Sequence, residues 1–254
     1  MRKKQNPKVR LVSKDIPLYK IAPNLVTIMS LCIGVSAIRY ALDAKWEIAA
    51  ALIIFSVFLD GLDGRLARLL NSTSKFGAQL DSLADMVCFG VAPAVLMFLW
   101  SLKYIPYKGV GWAVVLFYVT CSALRLARFN SVLDDEKQKA KLNHYFTGVA
   151  IPAAAGLAIL PLIMTFELVP GGFSSWFIAA YMLLPAVLMI STIPTFSFKK
   201  VSVKKVYVPL LLLIVAIFIG GVLLEPWIAL PFLGLVFWCT IPYSCYTYYT
   251  SQSA

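Results

Sequence analysis

Apolar residues run through this chain in long blocks separated by short polar connectors. A helix that crosses a bilayer needs about 20 mostly apolar residues. Eight stretches reach that length, at about 21–42, 47–64, 80–102, 110–129, 146–166, 173–196, 206–224 and 227–249. The pattern predicts an all-α integral membrane protein with eight transmembrane helices, whose connectors leave no room for a soluble domain. A polar arm, Met1 to Lys20, precedes the first stretch. That stretch has no small-residue cleavage site after a short apolar core, so it is expected to be a retained helix and not a signal peptide. Pro152, Pro161, Pro185 and Pro194 fall inside predicted helices, where neighbouring groups can satisfy the carbonyls that a kink frees.

Composition agrees with this pattern. Of 254 residues, 60% are hydrophobic and 14% charged, against roughly 45–50% and about 25% in soluble domains. A secreted disulfide scaffold, a disordered tail and a soluble nucleic-acid binder are excluded. Five cysteines without CxxC spacing, all in or beside apolar runs, read as small buried hydrophobes. The net charge of +11 takes its meaning from position, because cytoplasmic loops are enriched in Lys and Arg. The arm carries seven cations. Arg65, Arg68 and Lys75 follow the second stretch, Arg125, Arg128, Lys137, Lys139 and Lys141 the fourth, and Lys199, Lys200, Lys204 and Lys205 the sixth. Only Arg39, Lys45, Lys103 and Lys108 fall on the opposite side. This places both termini in the cytoplasm and the protein in the inner membrane, where basic loops also meet anionic lipids. Trp46, Trp100, Trp112, Trp176 and Trp227 lie at the predicted outer ends, as interfacial anchors.

The acids are the informative minority. Eight of twelve sit in tails, connectors or outer helix ends, but Asp60, Asp63, Asp81 and Asp85 fall at the cytoplasmic ends of the second and third stretches. An ionisable group inside a membrane helix costs at least ~2.5–3.5 kcal/mol. Asp60 and Asp63 are spaced i,i+3 and Asp81 and Asp85 i,i+4, so each pair lines one helix face. Two helices joined by a short loop are antiparallel neighbours, which points both pairs into one pocket. Four carboxylates there would repel one another without a cation, and hard divalent ions such as Mg²⁺ or Mn²⁺ prefer oxygen ligands. Two such ions bridged by carboxylates are a known solution for phosphoryl displacement. The competing reading is a folding network of salt bridges to Arg65, Arg68 or Lys75. Gly61, Gly64, Ala67, Gly77 and Ala78 favour the metal site, since small residues let phosphates approach the backbone. Arg68 would meet a diphosphate with a bidentate fork.

These residues resemble a signature, Asp-x2-Asp-Gly-x2-Ala-Arg-x8-Gly-x3-Asp-x3-Asp, of the CDP-alcohol phosphotransferases. The chain matches all eight fixed positions: Asp60, Asp63, Gly64, Ala67, Arg68, Gly77, Asp81 and Asp85. The resemblance implies a homodimer with a six-helix catalytic core that transfers a phosphatidyl group from a CDP-linked lipid to an alcohol, releasing CMP. It implies that Asp60, Asp63 and Asp81 hold one divalent ion and Asp60, Asp81 and Asp85 a second, with Asp85 the general base. Gly64, Ala67, Arg68, Gly77 and Ser74 would line the CDP-lipid site. Pro23-Asn24-Leu25-Val26-Thr27 resembles the family's nucleotide-contacting segment, with Asn24 and Thr27 as contacts. The other reading of Asn24 is that it caps its own helix.

The acceptor must be read outside the signature. Arg125-Leu-Ala-Arg128-Phe129-Asn130, the Phe146-Thr147-Gly148 segment that opens the fifth stretch, and Ser197-Phe198-Lys199 are similar to segments of membrane-integrated phosphatidylserine synthases of bacteria and archaea. Val149-Ala150-Ile151-Pro152 departs from the Leu-Pro-Ser-Pro that usually follows Thr-Gly there. L-serine brings a carboxylate that wants a fixed cation, and Arg125, Arg128 and Lys199 are at the right level; the alternative is that they only set topology. His144 reads as a solvated loop histidine. The expected organisation is an arm over 1–20, a six-helix core over 21–198, and two additional helices with a short tail over 199–254. The expected reaction joins CDP-diacylglycerol and L-serine into phosphatidylserine and CMP. A same-family transferase using glycerol 3-phosphate or an inositol phosphate is one rival. A cation transporter is the other, although it would scatter its carboxylates over several helices.

Overall fold

A computed structural model describes residues 21–107, 109–134, 146–191, 194–195 and 208–252. It is helical apart from one two-residue strand pair. In chain order the elements are α1 (Ala22–Leu42), α2 (Trp46–Leu69), α3 (Lys75–Asp85), a π-helical turn (Met86–Val91), α4 (Ala92–Trp100), a 3₁₀ turn (Leu102–Tyr104) and α5 (Val110–Asp134). Then come β1 (Phe146–Thr147), α6 (Ile151–Glu167), α7 (Ser175–Ile190), β2 (Pro194–Thr195), α8 (Val208–Leu224) and α9 (Pro226–Gln252). Each apolar stretch contains a helix. By length and composition Ala22–Leu42, Lys75–Trp100 and Val110–Ser131 are able to cross a membrane, and α6 to α9 supply shorter apolar segments.

α1 and α2 form an antiparallel hairpin, closed by Ala44 in the left-handed region (φ 55°). Thr27, Ser30, Gly34, Ala37 and Ala41 are buried at alternating spacings of three and four along α1. This stripe of small residues lets backbones approach closely, as membrane helices require. Ser30 Oγ donates to Ser56 O at 3.2 Å, and Ser56 Oγ lies 3.3 Å from Ser30 O. At Gly34 any Cβ would run into Cys88 of the π-turn. The long rod Lys75–Trp100 therefore lies directly against α1.

Several boundaries differ from the hydropathy reading: α2 runs on to Leu69, the third stretch is helical from Lys75, α5 continues to Asp134, and at two places the element itself changes. The fifth apolar stretch begins as a strand, with Phe146 paired to Thr195 and Thr147 to Pro194, antiparallel. Helix α6 starts only at Ile151, with Pro152 in its first turn. The sixth stretch ends its helix at Ile190, so Pro194 lies in β2 and kinks nothing. Gly148 explains the break: its φ of +79° is left-handed and cannot continue either element. Pro161 and Pro185 are interior to α6 and α7. Pro93 follows the π-turn, where a wider turn accommodates the ring and the missing N–H.

Helix α6 is buried nearly all round, as a helix apolar on every side must be at the centre of a bundle. Helix α9 docks on it: Gly234 lies under Leu160, and Phe166 meets Trp227 edge-on at 4.9 Å. Trp238 Nε1 donates to Tyr181 OH at 3.0 Å, which donates to Leu157 O at 2.9 Å, so one polar chain ties α9, α7 and α6 together. Helix α8 has no buried residue, a surface suited to hydrocarbon and not to water.

Candidate active site

The α2–α3 connector sets the site. Helix α2 ends at Leu69, Asn71 turns the chain with φ 48°, and Ser74 opens α3 by accepting the Gly77 N–H at 3.0 Å. Both helices pack against α1, and the turn between them brings Asp60 and Asp63 of α2 towards Asp81 and Asp85 of α3. One carboxylate oxygen from each of Asp60, Asp63 and Asp81 lies within 4.8 Å of the others. The carboxyl groups of Asp60 and Asp85 come within hydrogen-bonding reach, a proximity that needs a proton or a cation between them. Asp63 is 4% exposed, and Thr27 Oγ1 donates to its Oδ2 at 2.6 Å.

Among the described residues no lysine or arginine forms an ion pair with this group, and only Arg125 interacts with it electrostatically, at Asp85. Arg68 Nε turns back to the Gly64 carbonyl of its own helix at 2.9 Å, and Arg65 and Lys75 are exposed. The salt-bridge network is thus not formed, and the convergent oxygens fit a divalent cation by their chemistry: hard anionic donors, close together and otherwise uncompensated. The structure brings Asp60, Asp63 and Asp81 together as one ligand group with Asp85 held to it through Asp60.

A cavity of about 180 Å³ opens beside the carboxylates, lined by Asp63 and Asp81 and by Asn24, Thr27, Gly64, Ala67, Ser74 and Gly77. Six of the seven positions expected around the CDP-lipid are therefore collected on one surface; Arg68 lies outside it. Asn24 does not cap α1, whose N-cap is Ile21 without a side-chain bond. Its Oδ1 instead reaches across to α3, 2.8 Å from where a Cβ on Gly77 would stand. Above Gly64 a Cβ would meet nothing within 4 Å, so that position leaves open room on the cavity wall. Two lining residues, Ser72 and Thr73, escaped the sequence reading. Among the described residues Ser72 Oγ is buried without a hydrogen-bond partner, and a polar atom so placed on a cavity wall suits contact with a ligand or water. A serine in a turn carries no sequence signal for this, because turn chemistry already explains it.

On the other flank, Arg125 of α5 donates from Nε to Val149 O at 2.9 Å, its guanidinium lies 5.6 Å from the Phe129 ring, and its charge interacts with Asp85 and Arg128. Arg128 is half-buried one turn further along α5. Ser82 and Asn130 hydrogen-bond across α3 and α5 at 3.1 Å, fixing these helices beside each other. Lys199 and His144 lie outside the described residues.

Comparison with known proteins is consistent with this geometry. A family model described as CDP-alcohol phosphatidyltransferase matches residues 20–190. The CDP-diacylglycerol–serine O-phosphatidyltransferase of Mycobacterium leprae is 40% identical over 226 residues, 89% of this chain and 74% of its own. The Helicobacter pylori (strain 26695) enzyme of the same name is 39% identical over 224 residues, 86% and 88% of the two chains. The archaetidylserine synthase of Methanothermobacter thermautotrophicus is 32% identical over 183 residues, 71% of each. The match spans the carboxylate group, the cavity and both arginines, and the chain belongs to the CDP-alcohol phosphatidyltransferase family.

Proposed function

We propose that the protein transfers the phosphatidyl group of CDP-diacylglycerol to L-serine, giving phosphatidylserine and CMP. The observation that carries this reading is the cavity whose wall combines Asp63 and Asp81 of the aspartate cluster with six of the expected CDP-lipid contacts. The names of the similar proteins support the choice of substrates.

Asp60, Asp63, Asp81 and Asp85 would hold the family's divalent cations, and we take two ions, Mg²⁺ or Mn²⁺, as the complement that four carboxylates suit. Bound there, such ions neutralise the diphosphate and the charge that builds on departing CMP. Asn24, Gly64, Ala67, Ser74 and Gly77 surround the CDP moiety, with Arg68 at its edge, and Thr27 holds Asp63 in orientation. The acceptor enters from the Arg125 and Arg128 side, where a fixed cation meets its carboxylate; Lys199 is a third candidate. Asp85 takes the proton of the serine hydroxyl as that oxygen attacks the β-phosphorus. The new bond is Oγ–P, the broken bond is the diphosphate P–O, and its electron pair leaves with CMP.

The organisation expected from sequence completes the proposal: an arm over 1–20, a catalytic core over 21–198, and an accessory pair of helices over 199–254. We assign eight membrane crossings, a homodimer, and an active site facing the cytoplasm of the inner membrane. The decisive experiment is CMP release by purified protein from CDP-diacylglycerol with L-serine, glycerol 3-phosphate or an inositol phosphate in turn. Serine alone is expected to sustain turnover. Asp85→Asn is expected to abolish it while CDP-lipid still binds; normal turnover in that variant would exclude the assigned base.

A further inference from the structure

Arg125 is held by a segment outside the signature. Its Nε donates to Val149 O at 2.9 Å, and the N–H of Val149 donates to Leu188 O at 3.2 Å, near the end of α7. The neighbouring Gly148 is buried with φ +79°. A Cβ there would fall 2.7 Å from Ser191 O, 2.9 Å from Met189 O and 3.2 Å from Leu188 O. Only glycine can lie this close to the carbonyls that end α7 while adopting a left-handed turn. The β1–β2 pairing anchors the same segment from its other end. The chain Phe146–Val149 is thus a strap pulled down onto α7, and its last carbonyl grips Arg125 of α5.

A guanidinium is a rigid planar fork. Fixing Nε on a backbone carbonyl sets the plane of the group and directs its two Nη atoms away from Val149. Among the described residues those Nη atoms have no hydrogen-bond partner, and the charge interacts with Asp85. We infer that the Gly148–Val149 strap is a positioning element that aims Arg125 at the carboxylate of the acceptor alcohol, beside the base that deprotonates its hydroxyl. The inference rests on the proposed reading that the acceptor is an amino-acid alcohol. It adds that acceptor affinity depends on a backbone segment that acts through Arg125.

A cation that only set topology would work equally well as lysine, since either residue satisfies the positive-inside bias. A lysine ammonium cannot bond Val149 O and present a second, fixed edge to the acceptor. The test measures serine-dependent CMP release by the full-length protein, with KM determined separately for serine and for CDP-diacylglycerol. The variants are Arg125→Lys, Gly148→Ala and their combination. Each single variant is expected to raise KM for serine about tenfold or more, since small misplacements of a positioned group cost that much. KM for CDP-diacylglycerol should stay within about twofold, which also reports that the protein is folded. Because the strap acts through Arg125, the double variant should be no worse than the worse single one. Unchanged serine KM in Arg125→Lys, parallel rises in both KM values, or multiplying effects in the double variant would each overturn the inference. If Gly148→Ala does not yield folded protein, Arg125→Lys decides alone. Absence of serine-dependent turnover in the unsubstituted protein would instead refute the acceptor assignment.

Discussion

Thr27 shows how a residue changes role between sequence and structure. Its place in the Pro23–Thr27 segment suggests a nucleotide contact, yet the hydroxyl is buried and donates to Asp63 Oδ2 at 2.6 Å, a length typical of a charge-assisted bond. Partners that orient a metal ligand typically contribute about 10–100-fold in metal affinity. Thr27→Val is therefore expected to weaken divalent-ion binding by about that factor with little change in folding, as measured by calorimetric titration of Mn²⁺. Ser72→Ala removes only a hydroxyl that has no partner in the protein. Stability should hold while KM for the CDP-lipid rises roughly threefold to tenfold, the worth of one hydrogen bond. The four aspartates were legible because a membrane makes misplaced charge expensive and therefore meaningful. The bond from Thr27 to Asp63 and the place of Ser72 on the cavity wall were not, because a single hydroxyl is cheap almost anywhere and acquires meaning only from the atom it faces.

At the scale of helices, the site depends on close approach more than on helix length. Gly77 lets α3 come against the Asn24 side chain of α1, and both residues line the cavity beside Asp63 and Asp81. A methyl group there must displace Asn24. Gly77→Ala is expected to raise KM for the CDP-lipid at least about fivefold, the lower end of overpacking costs, and to leave KM for serine unchanged in the same CMP-release assay. Hydropathy located each described helix but fell about five residues short where polar ends continue the helix, at 64, 80 and 129, and misplaced the ends at 146 and 196. It averages over windows longer than a strand of two residues, and it cannot see a left-handed glycine such as Gly148 or the carbonyls that Gly148 covers. The polar tie from Trp238 through Tyr181 to α6 was equally hidden, since two aromatic residues in apolar runs read as packing.

The whole molecule combines a buried aspartate cluster with an outer surface made for lipid, and along the sequence its cations concentrate in alternate connectors. Single cysteines placed at Lys137 and Lys200 are expected to react with an impermeant thiol reagent only in inside-out vesicles, and one at Lys108 only in right-side-out vesicles. The reverse labelling pattern would invert the assigned orientation. Composition gave the membrane class, and charge position gave the orientation to be tested. Neither could give the angular relation between helices, and the π-turn after Asp85 shows why that relation matters. Met86–Val91 winds more widely than the α-helices on either side, so α3 and α4 share an axis but not a phase. Were that turn to wind as ordinary α-helix with every residue kept, Asp81 and Asp85 would rotate by about 100°, one residue's worth, relative to α4. All four aspartates would remain in the chain, yet they would no longer converge. The aspartate cluster is in this sense specified by how the residues between the helices wind as much as by the identity of the residues themselves.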